Sequence, residues 1–219
     1  MACLKRFLVN IISSTSLFIF FIIISTGEVM ATEQAKYQVI TQDDNIEVRK
    51  YESHVVAETE VDSDFEDAGS AAFKRLFDYI SGNNIAQKEI AMTTPVSQEA
   101  SGEKIDMTSP VGQRKDNGRW AVSFMMPASY TYETLPQPKD PSIKLQQVPE
   151  QYRVSITYSG LWSESNYLSN KQKLEAWIQS NNYIVSGEAT WARYNAPFTP
   201  WFLRRNEVLI PIEYPVNDI

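Results

Sequence analysis

Ile90-Ala91-Met92-Thr93-Thr94-Pro95-Val96 and Ile105-Asp106-Met107-Thr108-Ser109-Pro110-Val111 are one phrase written twice, fifteen positions apart. Apolar Ile, Met and Val separated by polar Asp or Thr read as two extended segments. The proline closes each segment, because it has no N–H to give to a central ladder. The linker, residues 97–104, is polar and contains Gly102, as a hairpin connection requires. One copy alone is an ordinary hairpin arm. Two copies so close together are far more specific.

Ahead of the phrase, residues 1–31 read as a signal peptide. Lys5 and Arg6 form a small positive region, residues 7–24 are strongly apolar, and Val29-Met30-Ala31 offers a cleavage site after Ala31. The expectation is an exported domain, residues 32–219, that is periplasmic or secreted. The alternative is an uncleaved anchor, against which stand Asn10 and the Ser13-Ser14-Thr15-Ser16 cluster. Cys3, the only cysteine, leaves with the signal. The mature chain then has no disulfide, thiolate metal site or cysteine nucleophile.

The mature part has 188 residues, enough for one domain with a substantial core. Without Lys5, Arg6 and Glu28 it keeps 18 basic and 26 acidic residues, a net charge of −8. So acidic a chain, with no basic run, argues against a nucleic-acid partner, and membrane contact is expected only through an uncleaved N-terminal segment. The Pro-rich stretch at residues 135–141 falls near the midpoint and suggests two halves of similar plan.

Alternating apolar and polar residues mark strands at 37–41, 46–51 and 55–61, with Asp43-Asp44-Asn45 as a turn. A helix follows, with Ser63 and Glu66 as a capping box and Gly82 at its end. The twin phrase and a strand at 120–126 complete the first half. The second half repeats the order: strands at 143–148 and 152–159, a helix at 165–181, and strands at 183–194 and 206–212. Two helices against many antiparallel strands imply an α+β domain with a curved or barrel-like sheet.

Two groups of aromatics stand out. On the first helix Phe65, Ala68, Gly69, Ala72, Leu76, Tyr79 and Ile80 cover an arc of roughly 120°, a sufficient core-facing stripe. Phe73 and Phe77 lie just beyond it, as a wide core stripe or as one wall of a groove for a flat apolar ligand. Near the C-terminus Asn195, Pro197 and Pro200 make a loop that nevertheless carries Phe198, Trp201 and Phe202. Exposed loops seldom hold three aromatics unless these pack back or meet a partner. Arg204 and Arg205 follow, suited either to ligand carboxylates or to acidic residues at a strand start.

Together these segments resemble the SOUL haem-binding protein family. The similarity rests on Ile46-Glu47-Val48-Arg49-Lys50-Tyr51, the twin M-T-[ST]-P-V, the Gly160 turn before the second helix, and Arg204-Arg205-Asn206-Glu207-Val208. It implies a twisted antiparallel β-barrel-like sheet flanked by two helices, built from two βαββ-like halves. It also implies a non-enzymatic binder of haem, or of a metal-free tetrapyrrole, with a pocket between the first helix and the loop ahead of Arg204. The expected binding residues are then Phe73, Phe77, Phe198 and Trp201, with Arg204 or Arg205 near the ligand's carboxylates.

The chain departs from the family pattern in two places. Lys50 stands where some relatives have His, and the pocket side of the first helix offers Ser70, Phe73 and Asp78 where some haem binders place cations. The metal ligand is therefore unknown. His54, the only histidine, is expected at a solvated turn, and Met92, Met107, Met125 and Met126 as core filler. No G-x-S-x-G, H-E-x-x-H, P-loop or G-x-G-x-x-G occurs. An enzyme would rest on His54 or on a carboxylate pair. The other reading is an envelope interaction module with no small ligand.

Overall fold

Tight turns and short connections set the strand order in this computed structural model, which describes residues 32–87 and 102–213. They all belong to the unit Thr32–Ile219. The first copy of the repeated phrase, including Met92, and residues 1–31 lie outside the described residues. The first half holds strands β1 (Tyr37–Asp43), β2 (Ile46–Tyr51) and β3 (His54–Val61), helix α1 (Phe65–Ile80), and strands β4 (Asn84–Ile85), β5 (Val111–Asp116) and β6 (Arg119–Met125). After β7 (Gln137–Pro138) the second half holds β8 (Ile143–Val148), β9 (Gln151–Tyr158), helix α2 (Glu164–Ser180), β10 (Ile184–Val185), β11 (Thr190–Arg193) and β12 (Asn206–Glu213). Asp44 and Asn117 take positive φ (53° and 47°) in the β1–β2 and β5–β6 turns, as short polar side chains can.

The main sheet runs β1-β2-β9-β12-β11-β5-β6-β3-β8, with β10 added on β12. Without β1 the order is the same from either end: β2-β9-β12-β11 corresponds to β8-β3-β6-β5. Each half is thus a βαββ unit preceded by a strand that pairs across to the other half, β2 on β9 and β8 on β3. Among the described residues the ladder ends at β1 and β8 and does not close, so the expected twisted, barrel-like sheet is present in open form.

Local details depart from the sequence expectation for identifiable reasons. Among the described residues, positions 105–110 of the second copy lie in no strand. Its donors go to three separate places: Ile105 N to the Ile80 carbonyl, Thr108 Oγ1 to the Met125 carbonyl and Ser109 N to the Glu33 carbonyl. It therefore runs as extended chain into β5, which begins just after Pro110. Asp64 replaces Ser63 as the N-cap of α1, with no side-chain capping bond, and Glu66 and Asp67 face the positive helix end instead. Gly82 ends that helix turn at φ +115°, where a Cβ would be strained. The strand expected at 183–194 is split into β10 and β11, because its partner β12 carries Pro211, which cannot donate to the ladder.

Strand alternation sorts the sheet into two faces. Val48, Ala57, Val122, Phe124, Val154, Ile156, Val208 and Ile210 are buried toward the helices. Phe65 stacks on Trp191 and Tyr167 at 4.6 and 5.5 Å, which ties α1, β11 and α2 together. The intervening positions, Arg49, Glu58, Arg114, Arg153 and Glu207, turn to the other face. Met126 is buried in this core and Met107 half-buried against it, as core filler should be, whereas buried Met125 faces the sheet's other side.

Candidate functional site

The edge of α1 beyond its core stripe forms one wall of a groove. Phe73 and Phe77, 37% and 47% exposed, stack on each other at 5.8 Å, and Phe73 meets the edge of Phe124 at 5.2 Å. Between α1 and the loop after β11 lies a cavity of about 450 Å³, large enough for a ligand of cofactor size. Gly69 and Phe73 line it from the helix, Trp191 and Arg193 from β11, Trp162 from the α2 approach, and Pro197 from the loop.

Arg193 is the unusual group here. It occupies the helix-facing register of β11, two residues from buried Trp191. Its guanidinium lies 4.8 Å from the Trp191 ring and 5.4 Å from the Trp162 ring. Its one hydrogen bond is a long donation to Gln113 Oε1 at 3.4 Å, and Nε is sealed from solvent with no acceptor. No carboxylate pairs with it among the described residues. Burial without a counter-charge lowers its pKa to about 10. Gly69 makes the room, since a Cβ there would sit 2.5 Å from Arg193 Nη2.

The residues expected from sequence divide into four sets. Phe73 lines the groove and Phe77 extends its wall. Phe198 and Trp201 stand on the loop, 89% and 57% exposed, outside the cavity wall. Arg204 folds back on that loop, donating to the Thr199 and Pro197 carbonyls, and rests 4.3 Å from the Trp162 ring at the groove's rim. Arg205 is turned to the opposite face. It donates to Glu207 at 2.7 Å and to Gln34, and lies 3.9 Å from the Tyr194 ring. Consecutive residues entering a strand point to opposite faces, so Arg204 and Arg205 do not act as a pair.

Sequence reading missed Arg193, Trp162 and Trp191, and took Gly69 only as part of the core stripe. A cation two residues after Trp191, in the same strand register, was the available signal. His54 is not a solvated turn residue. It begins β3 half-buried, with burial lowering its pKa, and lines a hollow on the sheet's other face. The groove lining holds no His, Met, Cys or Tyr, and no cluster of metal-ligating side chains occurs among the described residues.

The description "SOUL heme-binding protein" belongs to the family model that matches residues 32–211. The chain belongs to this family. Heme-binding protein 1 from Xenopus laevis is 26% identical over 163 residues, covering 74% of this chain and 80% of that protein. Its counterpart from Xenopus tropicalis is 27% identical over the same shares. Among solved structures, the EcmrR C-terminal domain superposes with a TM-score of 0.56 at 10% identity, covering 82% of this chain and 99% of that one. A hydrolase from Listeria innocua gives 0.51 at 11% identity, covering 80% and 94%. At such identities these two share the fold with this member of the SOUL family, and the likeness goes no further.

Proposed function

We propose that this SOUL-family protein binds haem or a related tetrapyrrole, without catalysis, in the groove between α1 and the loop after β11. The observation that carries the reading is an apolar cavity walled by Phe73, Trp162 and Trp191 with an unpaired guanidinium, Arg193, inside it. A tetrapyrrole supplies a flat apolar plane and carboxylates, and the groove answers both. The aromatic rings take the plane, each good contact adding about 0.5–1.5 kcal/mol beyond area burial. Arg193 takes a carboxylate, and Arg204 at the rim is placed for a second. Phe198 and Trp201 close over the outer edge from the exposed loop. With no His, Met, Cys or Tyr in the lining, binding rests on the ring and its carboxylates. The protein acts as an exported carrier or store, its N-terminal segment cleaved after Ala31.

Titration of the purified protein with haemin and with metal-free protoporphyrin tests this. Both should saturate at one equivalent with similar affinity, and haemin should show a shifted Soret band. Failure of both to saturate would refute the reading. The exposed cluster Phe198, Trp201, Phe202 and Leu203 would then favour the interaction module, since such apolar patches mark partner surfaces.

A further inference from the structure

The sheet's other face carries a second, chemically different hollow. It measures about 140 Å³ and is lined by Tyr51, Glu58, Met125, Arg153, Tyr194 and Leu209, among others. The charges on this face are answered one by one, with one exception. Glu207 receives Arg49 at 2.8 and 3.1 Å, Arg205 at 2.7 Å and the Tyr194 hydroxyl at 2.7 Å. Arg49 also donates to Glu47 at 2.6 Å. Glu58 receives Arg114 at 2.8 Å and Gln146 at 3.3 Å.

Arg153 is the exception. It makes no hydrogen bond and no ion pair among the described residues, and its Nε is sealed from solvent without an acceptor. Its one specific contact is the face of Tyr51, 5.6 Å from the guanidinium carbon. The charged, phenolic and imidazole groups that interact with it are Tyr51, Tyr194, Arg114 and His54, and no carboxylate is among them. A half-buried guanidinium whose Nε is sealed without an acceptor is a costly arrangement unless an anion completes it.

We propose that this chamber binds a small organic carboxylate, held through its two oxygens by Arg153. The rest of the lining sets the ligand's size and shape. Val56, Met125 and Leu209 offer apolar wall beside the Tyr51 ring. An apolar cavity of about 150 Å³ accommodates a benzene ring, so the chamber suits a body of single-ring size. A second hollow of about 250 Å³ shares Gln34, Ala35, His54 and Met125 with the first and leads past exposed Glu52 and Ser53, which gives the ligand a way in. The site lies across the sheet from the tetrapyrrole groove and does not depend on it.

Benzoate is the probe. In calorimetry on the purified protein it should saturate at one site per chain, while benzylammonium of the same shape should not bind. Arg153→Gln should weaken benzoate at least tenfold, and Arg193→Gln should leave it unchanged. In ¹H–¹⁵N spectra the Arg153 Nε–H signal should move on addition of benzoate, a readout that needs no folded Arg153→Gln variant. Absence of saturation, an unmoved Nε–H signal, undiminished affinity in Arg153→Gln, or loss in Arg193→Gln would each overturn the proposal.

Discussion

Replacing Arg193 by methionine should make the unliganded protein more stable and a poorer tetrapyrrole binder. The guanidinium is held at a pKa of about 10 rather than 12.5, a difference worth about 3 kcal/mol against the charged form at neutral pH. Its contacts with Trp162 and Trp191 return about 0.5–1 kcal/mol each, and the Gln113 bond is too long to add much. Methionine keeps the stem's packing and removes the unpaired charge, a net gain of about 1–2 kcal/mol. In a domain of this size that raises Tm by roughly 3–6 °C in calorimetry. The same change removes the carboxylate's partner. A charge-assisted bond of about 1.5–3 kcal/mol corresponds to roughly 10- to 150-fold weaker binding. A lower Tm in Arg193→Met, or unchanged protoporphyrin affinity, would refute the assignment of Arg193 as a ligand-facing charge held at a cost.

Other expectations follow from the same contacts. Gly69→Ala should push the Arg193 guanidinium out of its niche and reduce protoporphyrin affinity, with Tm shifted little because alanine favours the helix by about 1 kcal/mol. Phe73→Ala combined with Trp162→Ala should weaken binding far more than His54→Ala, measured by fluorescence titration. A dominant effect of His54→Ala would move the site to the other face. Glu207→Gln should cost about 1.5–3 kcal/mol in denaturant unfolding, because buried Arg49 loses one of its two carboxylate partners, Glu47 remaining, and half-buried Arg205 loses its own. Burial alone would raise the Glu207 pKa, but the hydrogen bond and charge of Arg49, with Arg205 and Tyr194, hold it below the usual carboxylate range. Its stabilising contribution is therefore complete above the ordinary carboxylate pKa and fades as pH falls through the lowered native value. Stability in Glu207→Gln should vary less with pH over that acid range, and an unchanged profile would remove Glu207 from the account.

The halves, both helices and most strand limits could be read from sequence because alternation and periodicity record burial one face at a time. Residues 46–49, for instance, alternate Ile, Glu, Val, Arg, and β2 sends Ile46 and Val48 to the core and Glu47 and Arg49 to the other face. The second copy of the twin phrase misled because it gives its donors to three different elements, and no local pattern encodes partners that far apart. Phe73 and Phe77 were legible as a departure from the core stripe on α1. Arg193 was not, since a cation in a strand reads as outward-facing until the packing of Trp162 and the gap at Gly69 are known. Nor could Arg204 and Arg205 be told apart, because alternation sends one of two neighbours to the groove and the other to Glu207 without saying which. Phe198 and Trp201 were correctly placed on the loop, and only the fold shows them outside the cavity wall.

The most direct measurement is a crystal structure of the protein with metal-free protoporphyrin bound. The ring should lie against Phe73 and Trp162 between α1 and the loop after β11, with a carboxylate within hydrogen-bond distance of Arg193. A ring seated on the sheet's other face, or one in the groove with both carboxylates away from Arg193, would contradict the account.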